Sequence, residues 1–349
     1  MTWIDRTRIE QSVLNMFQVN MGVRKKEKLL VVTDPPLLPH WQGEGSEQVA
    51  AMAERALLAR IVADIAADNL GDCEVDFFAY PPVAQSGAEP GEEVAARMGA
   101  ADVVIAITNR SLSHTDARVQ ACEAGARVAS MPGFLTRMFY PDGPMAADYD
   151  EVARLSRLFA ERLTRASEAV ILSRAGTDVA LNLKGRDGLA DHGLFTRPGD
   201  FGNLPAGEAY IAPVEGTGQG KLVVPAGWWH GMTEEMTVLF RDGLVYRVEG
   251  GGKVGERLLS LLGLEEGMAR NEARCNLAEL GIGTNPFARS VESGLEAEKI
   301  KGTIHIAMGD NAHMGGTVST DLHFDMIIPQ VDLFLDGEKI IEDGEWLLG

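Results

Sequence analysis

The sequence predicts an α/β chain in two parts: an N-terminal doubly wound parallel-sheet domain over residues 1–178, then an α+β, largely antiparallel domain over 179–349. Three observations carry this. Up to about residue 180, apolar strand-like runs alternate with helical patterns, which implies a parallel sheet covered on both faces. Beyond it, short β runs are separated by Gly-rich turns. At 349 residues the chain exceeds what one small core needs, so two domains are expected.

In chain order, the first residues, MTWIDRTRIEQSVLNMF, read as an amphipathic helix, and KLLVVT (28–33) as a buried strand ended by Asp34-Pro35-Pro36. A helix over 47–69 leads to the strand CEVDFFAYPP, and a short helix over 91–98 to the strand 101–108. A helix over 115–123, the strand ARVASMPG and a long helix over 145–168 complete the first half. In the second half AVILSRAG, DVALNLKG, KLVVPAG and GTIHIAMG read as strands, and RDG between TVLF and LVYRVE as a hairpin turn. Helical patterns fall at 255–262 and 269–277.

Composition narrows the function classes. Hydrophobic content of 45% and charged content of 24% are those of a globular protein. No run approaches the roughly 20 apolar residues that cross a bilayer, and the N-terminus lacks the pattern of a signal peptide, so a cytoplasmic location is expected. A net charge of −19 disfavours nucleic acid and anionic membranes as partners and says little about a small substrate; a small-molecule or short-peptide substrate is expected. Cys73, Cys122 and Cys275 lie far apart, against a disulfide framework or thiolate zinc site. No strand is followed by GxGxxG or GxxxxGK[ST], so nucleotide binding has no motif.

The second half does hold metal-competent side chains. In DLHFDMIIP, His323 and Asp325 are two apart and share one face of a strand. His305 lies in KGTIHIAMGD, Glu279 in NLAELGIGTNP and Glu215 in AYIAPVEGTGQG. Each alone reads as a hydrogen-bonded structural group. Together, three carboxylates and two imidazoles in apolar runs need shared compensation, which divalent ions supply. Nitrogen and oxygen donors suit Zn, Co, Mn or Fe(II).

The segments APVEG, AELGIGTNP, GTIHIAMGD and LHFD, in that order, resemble the metal-binding segments of the aminopeptidase T / aminopeptidase S family of metallo-exopeptidases. SLSHTDAR and GARVASMPG carry the resemblance in the first half. It implies a homodimer with a C-terminal metal-binding domain holding two divalent ions on Glu215, Glu279, His305, His323 and Asp325, Glu279 bridging. It further implies a hydrolase in which metal-activated water attacks a small amide or N-terminal peptide bond. Two features depart from the family: the position of its transition-state Tyr falls at Ala312, with His313 the nearest substitute, and the chain is shorter.

Short proteins of this plan also resemble bacterial 2,5-dihydroxypyridine 5,6-dioxygenase, a ring-cleaving non-haem enzyme. That resemblance implies a single Fe(II) on His323, Asp325 and one further His. A third reading is a non-catalytic binding protein that keeps its metal.

Three further groups have a bland and a functional reading. His114, at the functional edge after the third strand, is a helix-start residue or an acid/base. His192 opens the Gly/Pro-rich stretch 191–210, a surface loop or a substrate-facing one. Trp228, Trp229 and His230, in AGWWHG, read as aromatic packing or an oligomer contact rather than as a surface for substrate stacking. Glu215, His114, His192 and His313 are the catalytic candidates.

Overall fold

A computed structural model describes residues 4–347; Met1 to Trp3 of the expected first helix lie outside the described residues. The helices are α1 (Arg6–Asn15), α2 (Leu38–Gly43), α3 (Ser46–Asn69), α4 (Glu92–Gly99), α5 (Asp116–Glu123), α6 (Tyr149–Arg165), α7 (Gly252–Leu262) and α8 (Gly294–Ala297). The first strands are β1 (Lys28–Thr33), β2 (Glu74–Ala79), β3 (Val103–Ala106), β4 (Arg127–Ser130), β5 (Glu168–Ser173) and β6 (Asp178–Asn182). Next come β7 (Leu189–Asp191), β8 (Phe201–Asn203), β9 (Glu208–Ile211), β10 (Gln219–Val224), β11 (Met236–Arg241) and β12 (Leu244–Gly250). The last are β13 (Leu277–Gly283), β14 (Ile304–Gly309), β15 (His323–Ile328), β16 (Val331–Leu335), β17 (Glu338–Glu342) and β18 (Glu345–Trp346). The chain is mixed α/β, with one parallel and two antiparallel sheets.

Two compact units form, one from residues 1–151 with 193–206, the other from 152–192 with 207–349. The expected division after residue 178 falls at the start of β6, a strand of the second unit.

The first unit is a parallel sheet in the order β2-β1-β3-β4-β8. Every residue of β1 after Lys28 is buried, as expected for a strand covered on both faces. Leu30, Val32, Val104 and Val128 pack with Val94 and Met98 of α4 and Ala117 and Ala121 of α5. In α3, Val49, Met52, Leu58, Ala59, Val62 and Ala66 recur at helical spacing and are buried. The fifth strand, β8, comes from the stretch expected to be a loop. Residues 191–210 supply the end of β7, all of β8 and most of β9, strands too short to show a period of two in the sequence.

The second unit has an eight-stranded antiparallel sheet, β12-β11-β10-β6-β5-β16-β17-β18, and a five-stranded one, β15-β14-β13-β9-β7. One continuous core joins Ile171, Leu181, Leu222 and Val238 of the larger sheet to Ile211, Leu280, Ile306 and Met326 of the smaller, with Phe159 of α6 and Leu258 of α7. The helix expected over 269–277 does not form. Residues 272–275 are turns, and from Leu277 the chain enters β13, which is buried throughout between β14 and β9. Arg274 fixes that turn by donating to both Asp321 carboxylate oxygens, at 2.9 and 2.6 Å, and to Leu261 O at 3.0 Å.

Candidate metal centre

The five-stranded sheet has two chemically opposite faces because its strands alternate. Ile211, Leu280, Ile282, Ile304, Ile306 and Met326 enter the core. The intervening residues are Glu208 and Tyr210 on β9, Glu279, Gly281 and Gly283 on β13, His305, Ala307 and Gly309 on β14, and His323 and Asp325 on β15. A register shift between Leu277 and Glu279 leaves one extra residue, Ala278, so Glu279 sits opposite Ala307 on the polar face while Leu277 pairs with Met308 on the apolar one. Small residues make the space between the polar ones. A Cβ at Gly281 would overlap the His305 imidazole. Gly281→Ala is therefore expected to push His305 out of place, cost about 1–3 kcal/mol of stability and weaken metal uptake. Unchanged melting and metal content would show that the imidazole has another place to lie.

Two groups of donor atoms result, Glu208–Glu279–His305 and Glu279–His323–Asp325. Nε2 of His305 lies 3.2 Å from Glu279 Oε1 and 3.4 Å from Glu208 Oε2. Nε2 of His323 lies 3.1 Å from Glu279 Oε2 and 3.4 Å from Asp325 Oδ1. Glu279 thus gives one oxygen to each imidazole. The groups differ in access, since the His305 side chain is 1% exposed and that of His323 27%.

The donor chemistry fits a cation. His323 Nδ1 lies 2.8 Å from Asp310 O, a carbonyl that can only accept, so Nδ1 carries hydrogen and Nε2 is the atom available as a ligand. Glu208 Oε2 is buried and has no hydrogen-bond partner among the described residues; it faces His305 Nε2. Burial disfavours a charged imidazole at His305, yet its hydrogen bond to Glu279 and the charges of Glu208, Glu279 and Asp325 prevail and raise it to about 9. His323 is raised likewise against its burial, by Asp325 and Glu279. Burial would raise the Glu279 and Asp325 carboxyls, but the imidazoles hold both low. With no metal, protons on the imidazoles balance charge that a divalent ion would balance in their place.

Behind Glu208 stands Lys299, whose side chain is 3% exposed. Its ammonium meets Glu208 Oε1 at 2.6 Å, Glu298 Oε2 at 3.1 Å and Asp191 Oδ2 at 3.5 Å. Tyr210 stands near the same carboxylates, and burial with the charges of Asp191, Glu208 and Glu279 pushes its phenol up, so it stays protonated. Sequence reasoning missed Glu208 and Lys299. The signal for Glu208 was present in Glu208-Ala209-Tyr210-Ile211, polar and apolar in turn, but only four residues long.

Of the five residues expected to share a metal site, Glu279, His305, His323 and Asp325 are brought together and Glu215 is not. Both Glu215 oxygens are engaged elsewhere: Arg186 donates to Oε2, and Asn311 Nδ2 and Thr317 N donate to Oε1 at 3.0 and 2.7 Å. Glu215 ties down the 311–317 loop, and Glu208 stands where it was expected. Nor does the exposed group contain a second imidazole, since Glu279 is its third member. His313 is 40% exposed, its ring edge-on to His323 at 5.6 Å and its Nδ1 2.7 Å from Asp310 Oδ2. His114 is exposed just before α5 of the first unit, and His192 is half-buried after β7 of the second. Trp229 stacks on Phe324 at 4.4 Å, on the apolar face.

The NicX family, described as 2,5-dihydroxypyridine 5,6-dioxygenase, matches the chain over residues 23–347. The chain belongs to this family. A relative in Pseudomonas putida KT2440, a 2,5-dihydroxypyridine 5,6-dioxygenase, is 23% identical over 264 residues, 70% of this chain and 71% of its own length. The solved structure of 2,5-dihydroxypyridine dioxygenase from that bacterium shares the fold, with a TM-score of 0.73 over 99% of both chains at 16% identity. Wild-type AmpT from Thermus thermophilus shares it at a TM-score of 0.64 and 15% identity, over 98% of this chain and all of the other. The likeness to AmpT is one of fold. Membership of the NicX family corrects the expectation of an amide or peptide hydrolase: the chain belongs with a family of dioxygenases, which are enzymes. No helix among the described residues is long and apolar enough to cross a membrane.

Proposed function

We propose that this NicX-family chain is a non-haem iron dioxygenase that opens a hydroxylated N-heteroaromatic ring, holding its ion on Glu279, His323 and Asp325. The observation that carries the reading is the family match over residues 23–347. The choice of group follows from access, because a ring and O₂ must reach the ion and His305 is sealed in. One imidazole and two carboxylates are donors that Fe(II) accepts and leave coordination positions for other ligands, with one imidazole fewer than the two-His, one-carboxylate set typical of non-haem iron oxygenases. When bound, the ion supplies the O₂ chemistry that side chains cannot perform.

The chain's own residues do the rest. Asp310 O fixes the His323 tautomer, and the Asp310 carboxylate orients His313 beside it. His313 is the exposed imidazole placed to take or return a proton of a ring hydroxyl. A second reading concerns the number of ions. Glu208 Oε2, which faces His305 Nε2 at 3.4 Å but takes part in no hydrogen bond among the described residues, favours a second divalent ion, Zn, Co, Mn or iron, in the group of Glu208, Glu279 and His305. Elemental analysis of anaerobically purified protein separates one ion per chain from two. The substrate in this reading is a small molecule, with no nucleic acid or membrane partner. A cytoplasmic homodimer is part of it and is checked by mass in solution and by fractionation of the source cell.

The deciding experiment follows O₂ with an electrode while Fe(II)-loaded protein meets 2,5-dihydroxypyridine. Expected is one O₂ consumed per ring lost, and no consumption by Asp325→Ala. Turnover of the ring without O₂ would sink the proposal.

A further inference from the structure

The parallel sheet of the first unit reverses direction at β1. The chain passes from β1 to β2 on one side, then crosses back to place β3 on the other. In open α/β sheets such a reversal leaves a crevice at the carboxyl ends of the strands, and ligands bind there. Here it is a cleft of about 490 Å³, bounded by segments that follow β1, β2 and β3 and by α3.

At its base is Arg55, only 9% exposed. Its Nε donates to Phe134 O at 3.1 Å and its Nη1 to Asn109 Oδ1, leaving Nη2 without a protein partner among the described residues. Arg55 makes no ion pair within 4 Å among the described residues, although the charges of Asp34 and Glu54 act on it from farther away. Asn109 stands between it and Asp34, donating through its backbone N to Asp34 Oδ1 at 2.6 Å and through Nδ2 to the same oxygen at 2.9 Å. Arg110, the next residue, lines the cleft with its side chain exposed. A buried guanidinium with a free donor edge, opening onto a cavity, is a group built to receive an anion. None of this belongs to the metal groups, which lie wholly in the second unit.

The anion is not a phosphate. Asp34-Pro35-Pro36 follows β1, its prolines offering no N–H, and the glycines that lead into α3, Gly43 and Gly45, flank the acidic Glu44, so neither segment is a phosphate cradle of the GxGxxG or GxxxxGK[ST] kind. Glu44 at the rim adds a negative charge that a dianion would meet. His40 and Gln48 also line the cleft, and its apolar part is formed by Met52, Pro82 and Val83 with Ala51 and Ala84. We propose that this crevice binds a small organic carboxylate, its carboxylate received by Arg55 and Arg110 and its apolar body resting on Met52, Pro82 and Val83.

The test is calorimetric titration of the full-length protein, with and without chelator, using benzoate, benzyl alcohol and inorganic phosphate as probes. Saturable benzoate binding that survives chelation is expected, with benzyl alcohol and phosphate weaker. Arg110→Ala, at an exposed position that leaves the fold untouched, should weaken benzoate on the order of tenfold, and Arg55→Met should weaken it further. Absence of saturation, loss of the signal on chelation, equal affinity in Arg110→Ala or a preference for phosphate would each overturn the proposal. Should Arg55→Met fail to fold, Arg110→Ala decides alone.

Discussion

Glu279→Gln is expected to empty both donor groups at once. The carboxylate gives Oε1 to the side of His305 and Oε2 to the side of His323, so no other single change touches both. An amide keeps the shape but carries no charge and turns one donor oxygen into an NH₂ that cannot bind a cation. Changing groups outside the ligand shell already costs about 10–100-fold in metal affinity, so removing a shared ligand should cost at least about 100-fold, and turnover with it. Elemental analysis and a metal titration read this directly. A variant that held metal as the parent does would take Glu279 out of the site. Glu215→Gln makes the natural contrast, because its carboxylate is bound by Arg186, Asn311 and Thr317 and should matter to the 311–317 loop rather than to metal affinity.

Lys299→Met should produce the largest loss of stability. Its buried ammonium meets the carboxylates of Asp191, Glu208 and Glu298, whose side chains are 14%, 9% and 21% exposed, and removing one partner of such a cluster costs about 3 kcal/mol, the low end for a fully buried one. Methionine nearly fills the volume, so little of the loss comes from a cavity. The loss has a pH signature. Burial pushes Asp191 up to about 7 and Glu298 up to about 8 even with Lys299 beside them. A carboxyl raised on folding favours the folded state when protonated, so its contribution is full at low pH and is lost as pH climbs through 7 to 8. Lys299 offsets part of that loss. Without it the deficit should widen from pH 5.5 to pH 8.5, measured as the difference in denaturation midpoints between variant and parent. A deficit equal at both pH values would mean that the side chain acts by packing alone.

How far the chain could be read without coordinates depended on the length of each run. β1 and β3 are continuous apolar stretches bounded by breakers, and such runs announce a covered parallel sheet. His323 and Asp325 share a face because a strand has a period of two, a property of covalent geometry that needs no tertiary context. The face taken by Glu279 was not legible, since the extra residue at Ala278 shifts the period and nothing in the local sequence marks it. Glu208 was hidden by its setting among Gly and Pro, where a strand of four residues is too short to be distinguished from a loop. Glu215 drew attention because it ends an apolar run beside glycines. Its partner Arg186 lies 29 residues away in sequence and is found only once the chain is folded. Lys299 reads locally as one more surface lysine in EAEKIKG; only packing reveals an ammonium enclosed by acids.

The path of the chain through β8 has a consequence for how the protein is made. The edge of β4 is covered by residues 201–203, which reach the first unit only after α6 and β5 to β7 have been laid down. During vectorial synthesis the parallel sheet therefore waits, one edge bare, until about fifty further residues have left the ribosome, several seconds at ordinary elongation rates. A chain released at residue 151 would display β4 as an open template for strand addition. Such a chain should accordingly self-associate through the β4 edge, and one that also carries residues 193–206 has the strand that closes that edge.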